Sequence, residues 1–246
     1  MTTQKTHIKI LTPAYSGSLT THYFHSTLEF VNKAQKEGIT VSVDTATHFS
    51  LISLGRNMMQ SDALARDKTW THILWIDGDI GYHWSYPFKL LDADKPIIGG
   101  FYPKKEFPIG MASSADPRME MTDTYCETDY VATGFMLIKR EVVEKMEEFY
   151  RHRAFHYGEQ QGPYYDLYSP YIDETGLYLS EDYAFFRLAR RMGIKSYMSK
   201  EFSLQHFGNT VFSGDAEDVM LKKYEERGYV TIKSLYPHLD DQKESN

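Results

Sequence analysis

Only one cysteine, Cys126, occurs in 246 residues. No intramolecular disulfide can form, so nothing in the chain asks for an oxidising compartment, and Cys126 reads as an inert thiol. Positive charge is also short: 27 Lys and Arg stand against 34 Asp and Glu, a formal net charge of −7. There is no global field to gather nucleic acid by counterion release. No run reaches the roughly 18 apolar residues of a membrane span. The residues before the first predicted strand hold no apolar core of signal-peptide length. Internal repeats and low-complexity segments are missing too. A soluble, cytoplasmic protein is expected.

What is present is a globular composition, 41% hydrophobic and 15% aromatic, with 19 Tyr and 14 Phe supplying many rings that carry a polar edge. The length suits one α/β domain with extensions. Ile8–Thr12 reads as a strand stopped by Pro13, and Thr20–Gly38 as a helix. Val41–Asp44 is a second strand and Leu54–Asp67 a second helix, while His72–Ile76 is a continuous apolar run, as in a strand buried on both faces. This alternation predicts a mostly parallel central sheet flanked by helices. Ligands of such sheets sit beyond the carboxyl ends of the strands, so Pro13–Tyr15, Asp44–Thr47 and Asp77–Asp79 should face one crevice.

Further strands are predicted at Pro96–Tyr102 and Tyr130–Ile138, the latter running into a helix at Glu141–Tyr150, with a polar irregular stretch from Pro103 to Asp129 between them. Arg151–Tyr178 is a long Tyr-rich loop, of the kind that is usually functional. Ser180 should cap a helix that ends at Gly193, followed by a last strand over Lys195–His206 and a charged helix over Ala216–Arg227. The main domain is expected at 1–213, with 151–179 as a loop on its acceptor side; 214–246 is expected to be a helix and disordered tail.

Asp77 and Asp79 lie two apart, so on an extended chain both carboxylates project to one side; Gly78 between them would let a bulky ligand approach the backbone. Paired carboxylates at a strand end suit a hard cation such as Mn²⁺ or Mg²⁺ on a diphosphate. His206, near the end of the last strand, could complete an Asp/His ligand set. Glu181 and Asp182 begin a helix, where the dipole favours the ionised form, and one could accept a proton from an attacking hydroxyl. Arg56 and Asn57, read as exposed at a helix start, could hold phosphate or a base edge. Gly134 would let a sugar approach the backbone, or mark a simple bulge.

The ordered set Thr12-Pro13-Ala14-Tyr15, Arg56-Asn57, Trp75-Ile76-Asp77-Gly78-Asp79, Gly99-Gly100-Phe101-Tyr102, Ala132-Thr133-Gly134-Phe135, Ser180-Glu181-Asp182 and His206 resembles GT-A glycosyltransferases. It is most similar to small family-2-like enzymes of large DNA viruses, phages and bacteria, over residues 8–210. The resemblance implies a Rossmann-like GT-A sandwich, a nucleotide-diphosphate sugar donor and a hydroxyl acceptor, by default a glycan. It implies a nucleotide pocket lined by Pro13, Ala14 and Tyr15, with Asp44 and Arg56 as base or phosphate contacts. Asp77 would face ribose or sugar, Asp79 would bind the metal with His206, Gly134 would line the sugar site, and Asp182 would be the base of an inverting transfer. The turn Asp44-Thr45-Ala46 departs from the family's usual acidic residue followed by Gly-Ser. The implied location is the cytoplasm of a bacterium or a virus-infected host cell.

Three other readings remain open at this point. A modified base in DNA could be the acceptor if Lys104, Lys105 and other basic side chains formed one stripe. A phosphatase of the haloacid-dehalogenase type also uses Asp-x-Asp after an apolar strand, but expects Thr or Val where Gly81 stands. The third is a non-catalytic domain that binds sugar nucleotides.

Overall fold

A computed structural model describes residues 5–105, 112, 121–159, 162–208 and 211–212. The helix expected over Ala216–Arg227 and the tail lie outside the described residues. In chain order the elements are β1 (His7–Ala14), α1 (Thr21–Lys36), β2 (Thr40–Thr47), α2 (Ile52–Arg66), β3 (His72–Ile76), β4 (Ile80–Gly81) and α3 (Tyr86–Asp92). There follow β5 (Ile97–Phe101), β6 (Tyr125–Thr128), β7 (Phe135–Lys139) and α4 (Arg140–Phe149). The expected long loop carries four two-residue strands: β8 (Ala154–Phe155), β9 (Tyr164–Tyr165), β10 (Tyr171–Ile172) and β11 (Tyr178–Leu179). Last come α5 (Glu181–Arg191), β12 (Ser196–Ser203), β13 (Gln205–Phe207) and β14 (Val211–Phe212).

Seven strands form one sheet in the order β2-β1-β3-β7-β5-β12-β6. The pairs β1–β2, β1–β3 and β5–β12 are parallel. β7 runs antiparallel between β3 and β5, and β6 runs antiparallel at the edge. The fold is thus the mostly parallel, helix-flanked α/β sandwich that the sequence predicts. Two buried clusters fill its two faces. One centres on Leu11, Trp75, Met136 and Phe185; the other centres on Ile10, Leu74, Phe135 and Phe202.

Local chemistry explains the elements that carry the site. β1 and β3 are buried almost throughout, as strands covered on both faces must be. Thr20 caps α1 by accepting the Tyr23 N–H at 3.2 Å, and Lys33 and Lys36 lie in the last turn, where the helix dipole favours them. The strand predicted over Lys195–His206 is broken at Leu204. β12 belongs to the large sheet, whereas β13 crosses to β4, with His206 opposite Ile80. That switch delivers His206 to the end of the Asp77–Asp79 segment.

Candidate active site

At the carboxyl end of β3 the chain leaves the sheet as Asp77-Gly78-Asp79. Asp77 is held from several sides. Its N–H donates to the Gly134 carbonyl at 3.0 Å, and its Oδ1 accepts from Arg56 Nη2 at 2.8 Å. Arg56 is 1% exposed and its guanidinium lies 5.2 Å from the Trp75 ring centroid. Burial opposes the charge on Arg56, but Asp77 and Glu181 outweigh it and hold the group charged. Gly134 donates its N–H to the Tyr102 hydroxyl at 3.1 Å. A Cβ at Gly134 would come within 2.5 Å of that hydroxyl and 2.9 Å of Asp77 Oδ2. The room left by the missing side chain is therefore taken by Tyr102 and Asp77. Burial, and then the Asp77 carboxylate, push the Tyr102 hydroxyl well above its ordinary pKa, so it stays protonated.

Asp79 has a different setting. Its Oδ2 accepts from Lys105 Nζ at 2.5 Å, and its Oδ1 lies 3.5 Å from His206 Nε2. The β4–β13 pairing builds this approach, reinforced by the Phe207 N–H donating to the Asp79 carbonyl at 2.9 Å. His206 Nδ1 stands 2.9 Å from the Pro103 carbonyl. A carbonyl can only accept, so that nitrogen carries a proton and Nε2 is the one turned toward Asp79. Burial alone would raise the Asp79 carboxyl; His206 and Lys105 outweigh it and hold it below the usual range.

One carboxylate and one imidazole fit a divalent cation whose remaining positions are filled by phosphate oxygens and water. No group of three or more His, Cys, Asp or Glu side chains suited to a metal occurs among the described residues. Asp79 and His206 are the two side chains here that could ligate one.

The acidic pair opens α5 as expected, but Ser180 does not cap the backbone with its side chain. Its hydroxyl instead donates to Asp182 Oδ1, which also accepts the Tyr183 N–H at 2.8 Å. Asp182 is thereby fixed in orientation. Burial first, and then Asp182, push the Glu181 carboxyl above its ordinary range, while Arg56 pulls it back. Glu181, Arg56 and Asp77 thus feel one another's charge.

Several expectations are corrected. Arg56 and Asn57 are not exposed: they are 1% and 2% accessible, because α2 begins at Ile52 and a later segment lies over it. Asn57 Oδ1 accepts the N–H groups of Leu167 and Tyr168 at 2.8 and 2.9 Å, so it anchors that segment and has no oxygen left for a base edge. Asp44 is not at a strand end. β2 continues to Thr47, and Asp44 lies level with Leu11 and Trp75, two residues short of Asp77, with its carboxylate 2.8 Å from Lys9 Nζ. Gly78 does not open a path for ligand, since a Cβ there would meet Leu19 at 2.7 Å.

The chain that follows β1 does come back to the Asp77–Asp79 segment, but through Ser18, Leu19 and Thr20, which lie around Gly78. The chain after β1 turns at Gly17, whose N–H donates to the Ala14 carbonyl, and Thr20 then bonds the Gly78 carbonyl through its N–H at 2.8 Å. Ala14 is buried and Tyr15 is 70% exposed. Two side chains that matter here were not singled out from the sequence as site residues. Tyr102 belonged to a recognised motif but had no assigned role, and Lys105 was weighed only as part of a basic stripe against DNA. Only the sheet order brings them to β3.

No protein-family model matches the chain, and no curated protein matches it. Among solved structures, it is similar to A197 from STIV, at 15% identity and a TM-score of 0.49, over 84% of this chain and 93% of that one. A glycosyltransferase involved in glycosylation of the major capsid of PBCV-1 aligns at 15% identity and a TM-score of 0.33, over 56% of this chain and 62% of that one. A Drosophila β-1,4-galactosyltransferase in complex with manganese, UDP-Gal and xylobiose aligns at 14% identity and a TM-score of 0.39, over 86% and 71%. No helix among the described residues is long and apolar enough to cross a membrane.

Proposed function

We propose that this chain transfers a sugar from a nucleotide-diphosphate sugar to a hydroxyl acceptor, a glycan by default, with Mn²⁺ or Mg²⁺ bound by Asp79 and His206. The observation that carries the reading is the meeting of these two side chains across the β4–β13 pairing, with His206 Nδ1 fixed on the Pro103 carbonyl. A bound divalent cation would supply neutralisation of the departing diphosphate.

The chain's own groups do the rest. Asp77, oriented by Arg56, hydrogen-bonds the donor's ribose or sugar hydroxyls. Pro13, Ala14 and Tyr15 border the nucleotide. Asp182, oriented by Ser180 and the Tyr183 N–H, takes the proton from the acceptor hydroxyl as that oxygen attacks the sugar carbon, in a single inverting displacement. Glu181 holds the acceptor by a hydrogen bond. A nucleophilic role for Asp77 is disfavoured by its ion pair with a buried arginine.

The test is release of nucleoside diphosphate from a panel of sugar nucleotides, with Mn²⁺ or with chelator. The wild type should turn over only with metal. Asp79→Ala should lose at least about a hundredfold, the scale of one transition-state charge contact. Asp182→Asn should lose kcat while keeping donor affinity. Metal-dependent turnover that survives Asp79→Ala would end the proposal.

A further inference from the structure

Asp79 divides its two carboxylate oxygens between partners of unlike kind. Oδ1 faces His206 Nε2 at 3.5 Å, and Oδ2 carries the Lys105 ammonium at 2.5 Å. Both Lys105 and Asp79 side chains remain about one-third exposed, at 35% each, so the ammonium is open to a ligand as well as to Asp79. Its stem passes over Gly208, where a Cβ would lie 3.2 Å from Lys105 Cδ, so the stem runs beside the β13 end that presents His206.

We infer that Lys105 is a diphosphate-binding residue that makes metal binding conditional on the donor. This rests on the functional reading above and deepens it. A divalent cation between Asp79 and His206 and an ammonium on the same carboxylate repel each other. Asp79 cannot neutralise both, so the metal alone binds weakly. A diphosphate brings at least two negative charges into the same space. It bridges metal and ammonium, and turns their repulsion into two attractions, the point-charge phosphate contact that lysine makes well. Metal and nucleotide then raise each other's affinity by one factor, as linkage requires. The gain for the protein is an active site that holds no loosely bound cation between turnovers.

The experiment is Mn²⁺ titration followed by the electron paramagnetic resonance of free Mn²⁺, with and without UDP and GDP, on wild type, Lys105→Ala and Lys105→Gln. In the wild type, nucleotide should tighten Mn²⁺ binding. Removing the lysine charge should tighten Mn²⁺ binding without nucleotide by about tenfold, and cut the nucleotide's enhancement by about tenfold or more. These changes have opposite signs, which loss of structure would not produce. Lys105→Gln keeps the stem and guards against misfolding of the alanine variant. If Mn²⁺ affinity without nucleotide is unchanged in both variants, or the enhancement survives in both, the inference is overturned while the functional reading stands. If wild type binds no Mn²⁺ even with nucleotide, the functional reading falls, and this inference with it.

Discussion

Asp77 and Asp79 are separated by one glycine, yet they live in different surroundings. Asp77 is clamped by a fully buried arginine and sits against Tyr102 and Gly134. Asp79 is more open, and its partners, Lys105 and His206, come from the chain's outer loops and last small sheet. The first aspartate is tied to the buried framework; the second is paired with side chains that are themselves partly exposed. Variants at the two positions should therefore differ more in stability than their spacing suggests.

The largest effect on stability belongs to the buried side. Asp77→Asn leaves Arg56 charged and without its hydrogen-bonded counter-ion, and Nε and Nη1 of that arginine already lack a hydrogen-bond partner. The expected loss is about 3 kcal/mol or more, read from urea unfolding. Next is Gly134→Ala, whose methyl must displace the Tyr102 hydroxyl or Asp77; about 1–3 kcal/mol is expected by the same assay. A loss under about 0.5 kcal/mol in either variant would mean that the framework role is misassigned.

Glu147 gives a buried acid outside the site for comparison. Burial pushes its carboxyl up to about 7, partly offset by the Ser61 hydroxyl donating to Oε1 at 3.2 Å. A raised folded-state pKa on an acid means that the folded protein holds the proton more tightly than the unfolded chain. Stability is then lost as pH rises from the ordinary value of 4.5 through about 7. Glu147→Gln should stabilise the protein by about 1–3 kcal/mol at pH 8 and by little at pH 4, in melts across that range. An equal effect at both ends would contradict the assignment. The smallest stability effect is expected for Asp79→Ala, within about 0.5 kcal/mol of wild type, because a one-third exposed ion pair contributes little.

The framework was largely legible in the sequence because burial leaves a pattern. The apolar runs of β1 and β3 and the capped α1 fall close to where periodicity puts them. The direction of β7 was not legible, since a buried antiparallel strand and a buried parallel one share the same apolar run. Asp79 and His206 were legible as residue types, and their meeting depended on the crossover after Leu204. Arg56 and Asn57 misled because polar residues on a helix read as exposed. Asn57 is covered by the segment Asp166–Tyr168, more than a hundred positions away, and Arg56 is turned inward onto Trp75 and Asp77. Lys105 was illegible for the same reason: its partner is remote in sequence.

The account rests on Asp79 joining metal and nucleotide in one site. The direct measurement is thermal unfolding of wild type and Asp79→Ala with a panel of nucleotide sugars, each with and without Mn²⁺. At about 100 times Kd, a ligand that binds the folded state adds about 2.7 kcal/mol, or about 5–10 °C in Tm for a chain of this size. The expected result is a rise of that order in wild type that needs both Mn²⁺ and a nucleotide sugar and is absent in Asp79→Ala. An equal rise in the variant, or no rise in wild type with any nucleotide sugar, would contradict it.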